Sequence, residues 1–167
     1  MKFKIVKLIN YSGVRASVYS VIIDDDSETL FDRFTKEYVG LYKDELSDIA
    51  KRIRSMATET GARKDFFKEN EGVPGDGVCA LYDEPDKKMR LYCIRYGTEI
   101  VILGGGGEKP KNIRALQESE KLKKENYLIR EISKAISKRI RNKEIWFSWE
   151  DNEIIGNLEL DTDEEDY

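Results

Sequence analysis

Residues 77–104 constrain the fold more than any other part of the chain. Three short β-type runs, GVCALYD, KMRLYCIRYG and TEIVILG, follow one another with only EPDKK and a tight Gly-Thr as connectors. Parallel neighbours need a crossover of a dozen or more residues, so strands joined this closely must pair antiparallel. A period of two then sorts the middle run. Arg90, Tyr92, Ile94 and Tyr96 share one face, and Leu91, Cys93 and Arg95 share the other.

The same periodicities organise the rest of the chain. KFKIVKLI (2–9) and ASVYSVII (16–23) are β-type, and NYSGVR between them supplies turn residues, so a hairpin is expected. DDDSE offers helix-start chemistry ahead of Leu30, Phe31, Phe34 and Tyr38, which recur at helical spacing up to Gly40. A second helical pattern, Leu46, Ile49, Ile53 and Met56, ends at Gly61, and the two together predict an antiparallel helical hairpin. GVPGDG (72–77) is turn material. A last helix is expected within 118–141, where Leu122, Ile129, Ile132, Ile136 and Ile140 form an apolar stripe. EIWFSWEDNEIIGNLEL (144–160) reads as a hairpin turning at Asp151-Asn152, and DTDEEDY (161–167) as a disordered acidic tail. The expectation is an α+β body over 1–143 built on one antiparallel sheet, a hairpin extension over 144–160, and the tail.

Charge is segregated along this order. Residues 51–143 carry 22 basic and 14 acidic groups, a net of +8, whereas residues 144–167 carry ten acidic groups and no basic one. A basic middle section suits a polyanion-binding surface, and equally a solvated face followed by a solubilising tail. The chain has no histidine, which excludes Ser-His and Cys-His nucleophile pairs. Its two cysteines, Cys79 and Cys93, lie in apolar runs and read as small buried hydrophobes of a reducing compartment. No apolar run is long enough for a bilayer, and the first residues read as a cytoplasmic N-terminus, so no membrane partner is expected.

IVILGGGGEKPK (100–111) invites a phosphate-loop reading that its chemistry does not support. A P-loop needs Ser or Thr after its lysine and a helix opening from the glycines, but here Pro110 follows Lys109. A dinucleotide fingerprint needs a parallel βαβ unit. The glycines therefore predict backbone that a ligand can approach closely, with Lys109 and Lys111 just beyond. If the Arg90 face is concave, Arg90 and Tyr92 converge with these lysines on a phosphate; the alternative is a strand-end arginine snorkelling to water.

A strand, two helices, a basic linker, the meander RLYCIRYGTEIVILGGGGEKPK and a closing helix together resemble the RelE/HigB-type toxins of bacterial toxin–antitoxin modules. Arg90-Leu91-Tyr92 is similar to the motif opening the family's middle meander strand. Ile100–Gly105 with Lys109 and Lys111 is similar to the strand that follows, and ARKDFFK to the segment before the sheet. The resemblance covers residues 16 to 140. It implies a RelE-like antiparallel sheet with an N-terminal helical hairpin and a C-terminal helix. It also implies ribosome-dependent cleavage of messenger RNA without metal or other cofactor, and inhibition by a cognate antitoxin protein.

In that chemistry the ribose 2′-hydroxyl attacks the adjacent phosphate while cations offset the growing charge. The residues matched to it are Arg90 on the scissile phosphate, Lys109 or Lys111 against the developing charge or, crowded by cations, as base, and Tyr92 and Tyr127 as further catalytic candidates. Lys64, Lys68, Arg95 and Arg114 are the candidate RNA contacts. The first meander strand carries no lysine, and glycine replaces the family's usual aromatic after the last strand. A non-catalytic RNA- or protein-binding module on the same fold is the alternative.

Overall fold

The structure is a computed structural model that describes residues 1–69, 71–110 and 119–162. It is α+β, with a seven-stranded sheet between two long helices and a separate two-stranded hairpin. Strands β1 (Lys2–Lys7) and β2 (Ser17–Ile23) form the expected first hairpin, in register from Phe3↔Ile23 to Lys7↔Tyr19. Helix α1 (Leu30–Ser55) starts at Thr29, whose Oγ1 accepts a hydrogen bond from the Asp32 amide at 3.1 Å.

The two helices expected around Gly40 are one continuous element, kinked at Tyr42 (φ −131°, ψ 40°). Gly40 has open space around it and no positive φ, so it weakens the helix without stopping it. The buried stripe explains why the chain does not fold back. Phe34, Tyr38, Leu46, Ile49 and Ile53 all pack against the same sheet face, so both arms of the kinked helix run along it. The helix ends in a π-type turn, Met56–Thr60, capped at Gly61 (φ +80°), where the sequence places the stop.

After α1 come β3 (Phe67–Lys68), β4 (Val78–Leu81), β5 (Met89–Tyr96) and β6 (Ile100–Glu108), all antiparallel neighbours in that order. The sheet as a whole is mixed, because β6 lies parallel to β2 from Ser17↔Ile100 to Ser20↔Leu103. That pairing corrects the all-antiparallel expectation. The chain between β2 and β6 holds α1 and three strands, ample for the crossover a parallel pair requires.

Helix α2 (Glu120–Arg141), capped by Ser119, packs on the opposite face from α1. Strands β7 (Ile145–Ser148) and β8 (Glu153–Gly156) form the hairpin, with Asn152 in the turn at φ +54°. β9 (Glu159–Asp161) then returns to the main sheet beside β1, and the Met1 ammonium donates to Asp161 Oδ1 at 3.4 Å. Ile145, Ile154 and Leu160 belong to the α2-side core, so this segment packs as part of the main body. Residues 163–167 of the expected tail lie outside the described residues.

The glycine run is buried strand. β6 continues through Gly104–Gly107, with a bulge that sets Leu91↔Gly106 after Cys93↔Leu103. Side chains there would collide with α2 and β5. A Cβ on Gly104 would stand 2.9 Å from Ile129 Cδ1, one on Gly107 3.0 Å from Lys121 Cγ, and one on Gly106 against the Arg90 carbonyl oxygen. The run lets a helix lie almost on the backbone, so the space expected for a ligand is filled by α2. Among the described residues, no helix is long and apolar enough to cross a membrane.

Candidate functional site

Alternation along β5 puts Arg90 and Tyr92 side by side on the α2 face, as the period of two predicts. Arg90 is half-buried, and its side chain hydrogen-bonds with that of Tyr92. Its Nε is buried without a hydrogen-bond partner, and no carboxylate pairs with it among the described residues. Tyr92 is 4% exposed. Burial raises its pKa and the Glu71 carboxylate adds to the rise, while Arg90 opposes it. The phenol therefore stays protonated at neutral pH and can give a proton rather than take one.

The organising group beside this pair is Asp83, which the sequence reading missed. It follows the fully buried strand β4 and its side chain is only 4% exposed. Lys68 Nζ lies 2.8 Å from one carboxylate oxygen, and Lys109 Nζ pairs with the other. Burial alone would raise the carboxyl pKa, but hydrogen bonds and charge from Lys109 and Lys68 outweigh it, and the pKa is lowered. Lys109 is further fixed by donation to the Glu84 carbonyl at 3.1 Å. The only early signal was an aspartate directly after an apolar run in LYDEPDKK.

The structure sorts the other expected residues. Lys109 is not crowded by cations alone, because a carboxylate sits between it and Lys68; the basis for a role as base is gone. Lys68, expected on RNA, is held by Asp83 and also lies 5.6 Å from the Tyr82 ring. Lys64 is exposed, 3.7 Å from Glu69. Arg95 faces away from Arg90 and donates from Nε to the Ala62 carbonyl at 2.7 Å, tying the exit of α1 to β5. Tyr127 is 65% exposed on the outer side of α2, where it lines a groove against residues 73–76. Lys111 and Arg114 lie outside the described residues.

The arrangement can hold an anion. Arg90 supplies a guanidinium without a carboxylate partner, Tyr92 an O–H beside it, and Lys68 and Lys109 a second positive layer partly neutralised by Asp83. Compared with family models, with curated proteins and with solved structures, the chain matches none.

Proposed function

We propose that this chain is a RelE/HigB-type toxin of a type II toxin–antitoxin module, a metal-independent endoribonuclease that cleaves messenger RNA on the ribosome. The observation that carries the reading is the Arg90–Tyr92 pair, an uncompensated guanidinium beside a protonated phenol. On this reading the strand–helix–meander–helix order is a RelE-like arrangement, with the kinked α1 standing where a helical hairpin was expected. Arg90 holds the scissile phosphate bidentately and offsets the charge that grows as the ribose 2′-oxygen attacks phosphorus. The bond from phosphorus to the 5′ oxygen breaks, Tyr92 gives that oxygen its proton, and the 2′ proton leaves to water. A cognate antitoxin would inhibit the reaction.

Expression in a bacterial host should arrest growth, and Arg90→Ala should relieve the arrest. Arrest that survives the substitution removes Arg90 from the mechanism. A second reading, a non-catalytic RNA- or protein-binding module, is favoured by one observation: Lys68 and Lys109 are both engaged by Asp83. It requires that a translating extract show no messenger cleavage when the protein is added.

A further inference from the structure

Helix α2 pairs some of its cations with carboxylates and leaves others without one, and those without are not scattered. Lys121 is bridged to Glu37 and Glu125, Lys123 to Glu120, and Arg139 to Glu144. Arg130, Lys134 and Arg141 have no carboxylate partner among the described residues. They fall with Tyr127 on one stripe, at successive spacings of three, four and seven residues, which at 1.5 Å per residue spans roughly 21 Å. Lys124, also without a partner, stands one turn before Tyr127.

This stripe forms one wall of a groove of about 470 Å³, and the Val73–Asp76 loop forms the other. The loop is fixed in place. Asn126 Nδ2 donates to the Glu71 carbonyl at 2.7 Å, and the buried Ser133 hydroxyl to the Asp76 carbonyl at 2.7 Å. The Asp76 carboxylate accepts from the amides of Val73 and Val78 at 2.9 Å each. The groove is thus lined by three cations without carboxylate partners and two acids, Asp76, occupied by backbone amides, and Glu131 on the α2 wall.

We propose that this groove binds single-stranded RNA, with backbone phosphates along Arg130, Lys134 and Arg141 and a base stacked on Tyr127. A row of free cations with an exposed aromatic at one end matches single-strand recognition, in which bases stack and the backbone follows a positive track. Val73 and Pro74 offer the opposite wall an apolar surface for ribose or base. A membrane surface is not the match, because the stripe carries no exposed aliphatic residue beside its cations. Asn126, one residue before Tyr127, holds the backbone of Glu71 just ahead of the Val73–Asp76 loop and so ties the two walls together. The proposal rests on the ribonuclease reading for the identity of the polyanion.

The test is fluorescence anisotropy of the full chain with an unstructured, labelled RNA of about 12 nucleotides, across a salt series. The variants are Tyr127→Ala and the triple Arg130→Gln, Lys134→Gln, Arg141→Gln. A second triple, Arg15→Gln, Lys43→Gln, Lys51→Gln, removes the same charge from exposed positions elsewhere. The groove triple should weaken binding more than about ten-fold and lower the slope of log K against log salt by about 2. Tyr127→Ala should cost at least about five-fold. The control triple should stay within about two-fold of wild type.

Equal losses from both triples, or duplex DNA bound as tightly as the RNA, would overturn the assignment. Messenger cleavage that depends on Arg90, with a groove triple that binds normally, sinks the groove alone. Weakened binding by the triple, with no cleavage by the wild type, keeps the groove and sinks the enzyme reading.

Discussion

Replacing Asp83 with asparagine removes one negative charge from between two ammonium groups and changes little in shape. The Asp83 side chain is 4% exposed and that of Lys109 13%, so this half of the cluster is a buried pair. Removing one partner of a buried pair costs about 3–5 kcal/mol. The Lys68 side chain is 33% exposed and can swing to water, so its share is that of a surface pair, about 0–1 kcal/mol. Lys109 keeps the Glu84 carbonyl as an acceptor, which lowers its penalty. The net expectation is a loss of roughly 2–3 kcal/mol at pH 7, or roughly 4–12 °C in Tm for a chain of this length.

The sign of the pH dependence follows from the lowered pKa of Asp83. A carboxyl held below its unfolded value contributes its full stability above an unfolded pKa of about 3.9, and loses it as pH falls through the folded pKa. The gap in Tm between wild type and Asp83→Asn should therefore be constant from about pH 5 to 8 and shrink below about pH 4. Circular-dichroism melts of both proteins across that range isolate Asp83, because every other carboxylate is common to the two. Equal Tm values at pH 7, or a gap that persists undiminished at about pH 2.5, would refute the account.

Three further outcomes can be checked by urea unfolding or thiol chemistry. Gly106→Ala should cost about 3 kcal/mol or more, since its Cβ meets the Arg90 carbonyl oxygen and the strands must separate, while Gly105→Ala meets only the Glu125 carboxylate and should cost about 1 kcal/mol. Comparable losses at the two positions would contradict the close-packing role assigned to the run. The Tyr96 hydroxyl is buried without a partner, so Tyr96→Phe should be neutral or stabilise by up to about 1 kcal/mol, and a clear loss would reveal a bond the geometry does not show. Cys79 and Cys93 face each other across β4 and β5, fully covered, and burial pushes the Cys79 thiol up to about 12. Both should resist a thiol reagent in the native protein and react only in denaturant; rapid native reaction of either would show that the sheet opens.

What the sequence made legible was local. The meander followed from its short connectors, the first hairpin from NYSGVR, and the α2 stripe from its isoleucines. Three features were not local. The parallel pairing of β2 with β6 joins segments about eighty residues apart, and nothing within either strand encodes its partner's direction. Gly40 looked like a stop because glycine so often ends a helix; the sheet beneath both halves of α1 outweighed a penalty of about 1 kcal/mol. Asp83 looked like one more loop acid, since its burial depends on β3, β4 and β6 meeting around it.

The same three-way meeting explains why the candidate site is arranged as it is. Lys68 arrives on β3, Lys109 just past β6, and Asp83 just past β4, so one buried carboxylate ties together three chain segments that share no short connection. Without it, two ammonium groups would repel each other at the sheet end where Arg90 also lies. With it, the lysines hold the frame, while the Arg90 Nε has no hydrogen-bond partner among the described residues. A buried guanidinium Nε without a protein acceptor is costly in a folded protein unless a water or an anion satisfies it. The glycine run serves the same end by a different route. It brings α2 down onto β6, which buries Tyr92, keeps its phenol protonated, and sets the outer cations of α2 along the groove opposite the Val73–Asp76 loop.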